Sequence, residues 1–341
     1  MTKRELVYNI FDKKNTSGKI GFWSGRPAPE TLHIYNKILG LDSLEEFEQY
    51  MGCDCRWIPA DEYMKVPPGF GINTKADNAP KNCGMNEYCR FADAETKADI
   101  DAYKMPDARE IDFAPVYKVL DNYSDIGVFT GIWACFFHIV ADLFGMEEYF
   151  VRLYTEPDLV LYVTDKVVDY CAEANEIFLR DLGDRADTIF FGNDLGSQLC
   201  SLMSPEMFDK FVRPGCEKII EGAKKYNKKV MLHSCGSVAN LIPRFIDMGV
   251  DALHPLQAKA TGMNAENLAK EFGGKIAFLG GIDTQDLLVN GTPEMIRYDV
   301  RRVADLLGPN LIISNSHECV LPNIPLENMI AMRDAVAELN S

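Results

Sequence analysis

Lys229-Val230-Met231-Leu232-His233-Ser234-Cys235-Gly236 is a short apolar run that closes on an imidazole, a thiol and a glycine. A run of this length bounded by a turn signal reads as a buried strand of a parallel sheet, with its polar residues at the C-terminal end. A second segment has the same build, Leu311–Ile313 followed by Ser314-Asn315-Ser316-His317-Glu318-Cys319. His233 and Cys235 are two apart, so an extended backbone puts both side chains on one face, whereas Cys319 has to arrive from elsewhere in the fold. A neutral imidazole and two thiolates form a three-ligand zinc set that leaves a fourth position for substrate. The spacing is not that of a zinc finger and points to a catalytic site rather than a folding staple. The competing reading is that buried cysteine is simply a small hydrophobe, and ten in one chain make chance neighbours common.

Working outward, short β-rich runs alternate with longer helical patterns, the signature of a parallel α/β sheet. Eight runs read as strands: Lys19–Ser24, Cys53–Pro59, Ile126–Ile132, Thr188–Asn193, Lys229–His233, Ala252–Pro255, Ile276–Gly280 and Leu311–Ser314. Between them, Pro157–Asp181 keeps Leu159, Val163, Val167, Tyr170 and Ile177 near one helical face. Ser204–Lys225 opens with an N-cap Ser followed by Pro205 and Glu206, a sound helix start. Ala265–Phe272, Thr292–Leu307 and Pro325–Leu339 complete the later units. The pattern predicts a single (β/α)8 TIM barrel domain over residues 1–341. Residues 60–115 interrupt the rhythm between the second and third strands, with turn chemistry at Pro67-Pro68, Gly69, Gly71 and Asn78-Ala79-Pro80. They read as an insertion at the barrel mouth, either a hairpin and helix covering the site or a solvated excursion without a role.

A chain of 341 residues with 47% hydrophobic content buries a large core, ordinary for one barrel. No apolar run reaches the roughly 18 residues of a membrane span, and MTKRELVYNIF lacks the apolar core of a signal peptide, so a cytoplasmic protein is expected. Cysteines without a regular framework in a chain this long point to reduced thiols. The net charge of −16 argues against nucleic acid and anionic membranes as partners.

Barrel active sites lie at the C-terminal ends of the strands, and polar residues concentrate there. They are Arg26, Asp54, Asn193, Asp194, His233, Cys235, His254, Asp283 and Cys319. Any one Asp or Asn in such a place is ordinarily a turn or cap residue, and Asp283, followed by Thr284, reads as a helix cap. Phe22, Trp23, Trp57, Trp133, Phe136 and Phe137 lie near the predicted strand ends and could wall an aromatic ligand or belong to the core.

At these residues the chain resembles the uroporphyrinogen decarboxylase superfamily, and within it the zinc-dependent, corrinoid-linked methyltransferases. The resemblance is carried by FFGNDLGSQLCSLMSPEMFDKFVRPGCEKII at 190–220, KKVMLHSCGSVANLIPRFIDMGVDALHPLQ at 228–257, FLGGIDTQDLL at 278–288 and ECVLPNIPLENMIAM at 318–332. The methyltransferase branch binds zinc through a His-x-Cys pair and a distant Cys, which fall here on His233, Cys235 and Cys319. The decarboxylases grip a polyanionic tetrapyrrole with an Arg-rich N-terminal loop, but FWSGRPAPETL at 22–32 holds Arg26 alone. The resemblance therefore implies a zinc enzyme that exchanges a methyl group with a corrinoid carried by a partner protein. Of the two directions, the favoured one is O-demethylation, from a small methoxylated aromatic compound to the corrinoid protein. The alternative is transfer from a methyl-corrinoid protein to a thiol, and a metal-free decarboxylase stands behind both. In this scheme Asp194 is the catalytic residue or a fourth ligand. Arg26, Asp54, Asn193 and His254 contact substrate.

Overall fold

The computed structural model describes residues 1–68, 70–72, 89–317 and 319–341. Among the described residues there are ten strands: β1 Gly21–Phe22, β2 Arg26–Pro27, β3 Cys55–Pro59, β4 Gly127–Gly131, β5 Thr188–Gly192, β6 Lys229–His233, β7 Ala252–His254, β8 Ala277–Ile282, β9 Leu311–Asn315 and β10 Cys319–Val320. Eight of them form one all-parallel sheet in the order β1-β9-β8-β7-β6-β5-β4-β3. These are the eight runs read from the sequence. Every residue of β4, β5, β8 and β9 is buried, as expected of strands covered by side chains inside and helices outside.

The two ends of this sheet, β1 and β3, meet across a seam at residue 54. Its backbone N–H donates to the Phe22 carbonyl at 2.8 Å, and its carboxylate Oδ2 accepts from the Phe22 N–H at 2.8 Å. A side chain thus supplies the rung that a strand would otherwise supply, and the barrel is nearly closed. Asp54 precedes β3 and so stands at the N-terminal end of the barrel. Its expected place at the mouth, in contact with substrate, is corrected.

The helices follow the sequence with one exception. Pro157–Leu182 starts with Pro in its first turn and buries Leu159, Val163, Val167 and Phe178. Thr292 and Asn264 cap the helices Pro293–Leu307 and Ala265–Phe272 with their side chains. The stretch expected as one helix, Ser204–Lys225, is two: Pro205–Phe211 and Arg213–Lys225, meeting at Val212 with φ −118°. Pro214 has no N–H to continue the first helix, and its ring crowds the preceding turn, while the first turn of a new helix accommodates it.

Two features at the C-terminal ends of the strands were not foreseen. β2 and β10 pair with each other, Cys319 opposite Arg26. The short helix Ala60–Tyr63 leaves β3 directly. Within the predicted insertion, Lys65 and Asp112 form an antiparallel bridge, and the helix Lys97–Asp101 and the 3-10 turn Ala108–Glu110 follow. Gly69 and Asn78-Ala79-Pro80 lie outside the described residues. Among the described residues, no helix is long and apolar enough to cross a membrane.

Candidate metal centre

Strand register brings the site together. Gly192 of β5, His233 of β6 and His254 of β7 are direct partners across adjacent parallel strands. Residues in register project to the same side of a sheet, so the two imidazoles lie side by side, with Nδ1 of His233 2.9 Å from Nδ1 of His254. The glycine makes room for what covers them. A Cβ on Gly192 would stand 2.7 Å from both the Cβ of His233 and the indole of Trp133. Without it, Trp133 packs edge-on to His233 with 5.5 Å between ring centroids.

The turn after β6 is fastened to the loop after β5. Ser234 N–H donates to the His254 carbonyl at 2.9 Å, Leu195 N–H to Ser234 Oγ at 3.1 Å, and Ser237 N–H to the Ser197 carbonyl at 2.7 Å. Gly236 turns the chain at φ +83°, pressed against the backbone of Gly196 and Ser197. The result is that Cys235 Sγ lies 3.4 Å from His233 Nε2. Asp194 Oδ1 lies 3.0 Å from the same Nε2 and accepts the Cys235 N–H at 2.9 Å.

One donor atom from each of Asp194, His233 and Cys235 falls within 4.8 Å of the other two. A four-coordinate zinc with Zn–N of about 2.0 Å and Zn–S of about 2.3 Å holds adjacent donors about 3.3–3.6 Å apart, so this set fits one small ion. Burial opposes ionisation of Asp194, but its hydrogen bond to His233 and the Cys235 N–H that it accepts together hold its pKa well below the usual carboxylate range. The carboxylate is available as an acceptor or ligand. Burial also drives the pKa of His254 far down, with His233 and His317 adding to the effect, so that ring is neutral.

The other expected site residues divide. Cys319 begins β10 and donates its N–H to His317 Nδ1 at 3.3 Å, but it is not one of the three converging donors. Arg26 is at the mouth, 2.5 Å from Glu62 and 5.3 Å over the Trp57 ring. Asn193 is 1% exposed and accepts the Phe137 N–H at 2.9 Å, which ties the loop after β5 to the helix Phe136–Phe144. His254 is fully buried, against His233. Asp283 is a cap, accepting from the N–H groups of Gln285, Asp286 and Leu287. Of the aromatic residues, Phe22, Trp23, Phe136 and Phe137 are core. Trp57 and Trp133 are half-buried and in contact with each other, 5.4 Å between centroids.

Residues not singled out from the sequence also reach the site. His138, on the helix Phe136–Phe144, lies within the fields of Asp194, Asp142 and His233, and burial lowers its pKa. Asp61 accepts the Trp133 N–H at 2.7 Å. A histidine shortly after the third predicted strand was the available signal for the first. Nothing local marks the second.

The chain was also compared with known proteins. The methylcobamide:CoM methyltransferase MtbA of Methanosarcina mazei is 27% identical over 210 residues, 60% of this chain and 56% of that protein. A methylated-thiol–coenzyme M methyltransferase from the same organism is 25% identical over 203 residues, 59% of this chain and 51% of that one. The chain thus spans somewhat over half the length of the curated relatives it matches. A solved structure described as a methyltransferase from Methanosarcina mazei shares the fold across both whole chains, with a TM-score of 0.68 at 17% identity. The family model for uroporphyrinogen decarboxylase (URO-D) matches residues 84–339, and on that match, over most of its length, the chain belongs to the uroporphyrinogen decarboxylase family.

Proposed function

We propose that this protein transfers a methyl group from a methyl-corrinoid partner protein to a small thiol, at a zinc ion held by His233 and Cys235. Cys319 is the third ligand by the resemblance, and Asp194 competes for the remaining position. The observation that carries the reading is the convergence of an imidazole nitrogen, a thiol and a carboxylate at the C-terminal ends of β5 and β6. The relatives, named as coenzyme M methyltransferases, support this direction over the demethylation of aromatic ethers favoured by the sequence. One observation keeps the ether as a second reading: the half-buried Trp57 and Trp133, with Arg26 over Trp57, could seat an aromatic carboxylate.

A zinc ion held by these residues would supply Lewis acidity and lower the pKa of a thiol substrate. The thiol sulfur forms the new S–CH3 bond with its lone pair. The Co–C bond breaks with both electrons passing to cobalt, which goes from Co(III) to Co(I), and the thiol proton goes to water. Asp194, kept ionised, accepts the Cys235 N–H and so holds the turn that carries the Cys235 sulfur. Trp133, edge-on to His233, excludes water from one side of that ring.

The test is cobalt spectroscopy of the purified protein with a methyl-Co(III) corrinoid protein and 2-mercaptoethanesulfonate, alongside metal analysis. Co(I) and the methyl thioether are expected, with about one zinc per chain. His233→Ala and Cys235→Ser are expected to lose both metal and turnover. Comparing Cys319→Ser with Asp194→Asn decides which residue completes the set. Methyl-Co(III) formed only from methoxylated aromatics would install the second reading, and carbon dioxide released from a porphyrinogen would overturn both.

A further inference from the structure

His254 is built like a structural core residue, yet it carries an imidazole that core packing does not require. It is 0% exposed, with its ring 5.3 Å from that of Phe190 and 5.7 Å from that of Trp23. Its Nδ1 faces His233 Nδ1 at 2.9 Å, and its Nε2 has no hydrogen-bond partner among the described residues. Leaving a buried polar atom unpaired costs stability, and a Leu or Phe would fill the same space without that cost. The one contact that only an imidazole or similar acceptor can make is the one to His233.

We propose that His254 is a positioning residue that sets the tautomer of His233. Two nitrogens 2.9 Å apart share a single proton. If that proton sits on His254, the proton of a neutral His233 is on Nε2 and is donated to Asp194, 3.0 Å away. If it sits on His233, the Nε2 lone pair is free and aims at the space shared with Cys235 and Asp194. The second arrangement is the one a metal needs, since a ligating histidine donates its other N–H to an outer partner. In the exchange from first to second, the Nε2 proton of His233 leaves and the shared proton crosses to its Nδ1. A proton taken from water binds His254 Nε2 in place of the one that His233 Nε2 releases to water, so no net proton is gained and both rings end neutral.

The partner also has a chemical consequence. Ligating histidines commonly donate to a carboxylate, which raises ligand basicity. A neutral imidazole donates less electron density, leaving a bound ion more electrophilic toward an incoming thiol. The inference rests on the metal-site reading above, and its test is chosen so the two can fail separately.

The experiment combines zinc affinity by chelator competition with NMR of ¹⁵N-histidine-labelled protein, in which five histidines are to be assigned. For His254→Leu, zinc affinity is expected to fall about tenfold to a hundredfold. His254→Asn, whose side-chain oxygen can accept the same proton, should recover most of it. Circular dichroism is expected to report an intact fold for both. On adding zinc to the wild type, the His233 proton should move from Nε2 to Nδ1. Wild-type affinity in a folded His254→Leu variant, or zinc found on Nδ1 of His233, would overturn the proposal. If the wild type takes up no zinc, the metal reading fails. The metal-free spectra then decide the inference alone: His233 should carry its proton on Nε2 and His254 on Nδ1, a bias that His254→Leu removes. Identical His233 tautomers in wild type and variant would sink it.

Discussion

At the scale of single residues, the candidate site depends on one glycine as well as on its donor side chains. Gly236 follows Cys235 at φ +83°, and a Cβ there would run into the carbonyl of Gly196 and the backbone of Ser197. The left-handed conformation costs an L-residue about 1–2 kcal/mol before any collision, and here the collision is with backbone, which cannot rotate away. Gly236→Ala is therefore expected to lower stability by about 2 kcal/mol or more. It should also splay the turn that holds Cys235 beside His233. Denaturant titration and zinc content measured together check this, and a variant with full stability and full metal would contradict it. The His-Ser-Cys-Gly stretch was legible as the C-terminal end of a short buried strand that delivers ligands. What the turn leans on was not, because Gly196 and Ser197 belong to the preceding βα unit.

At the scale of elements, the helix Leu44–Tyr50 is tied to β3 by a buried ionic cluster. Arg56, 2% exposed, donates to both Glu45 oxygens at 2.8 and 3.0 Å and lies 3.1 Å from Glu48. Burial works against the charge of Glu45, but Arg56, Gln49 and Tyr123 overrule it and its pKa falls. Glu48 is deeper, and burial outweighs Arg56 and the Trp23 indole N–H, so its pKa rises to about 7. The folded state thus holds a proton that the unfolded chain releases near its model value of 4.5. Between those values the native state binds more protons, so stability falls as pH rises from about 4.5 toward about 7. At about 1.4 kcal/mol for each pKa unit, the loss attributable to Glu48 is on the order of 2–3 kcal/mol. Glu48→Gln is expected to flatten the profile. Urea midpoints taken from pH 5 to pH 7.5 test this, and parallel profiles for the variant and the parent would exclude Glu48 as the source. Neither Arg56 nor Glu48 was singled out from the sequence, nor was the helix Leu44–Tyr50. Their burial follows from the way the helix covers the strand.

At the scale of the whole molecule, closure of the barrel rests on Asp54 at the seam between β1 and β3. Its side chain satisfies the Phe22 N–H, and Lys3 approaches it at 3.7 Å. Removing a buried acceptor leaves its donor unpaired, at a cost of about 1–3 kcal/mol. Asp54→Ala is expected to lose that much in denaturant unfolding with zinc content and methyl transfer unchanged. Unaltered stability with abolished transfer would return Asp54 to the substrate-binding role read from the sequence. The sequence by itself determined the eight strands, their parallel order of appearance and the meeting of His233 with Cys235. Each of these follows from local apolar runs, side-chain alternation and turn residues. Only the tertiary structure decided which strand ends become neighbours. It set His254 behind His233 through the register of β6 and β7, brought Asp194 to their front, and sent Asp54 to the opposite end. Register and closure are fixed by packing across the whole barrel, and packing between segments far apart in the chain leaves no local periodicity to read.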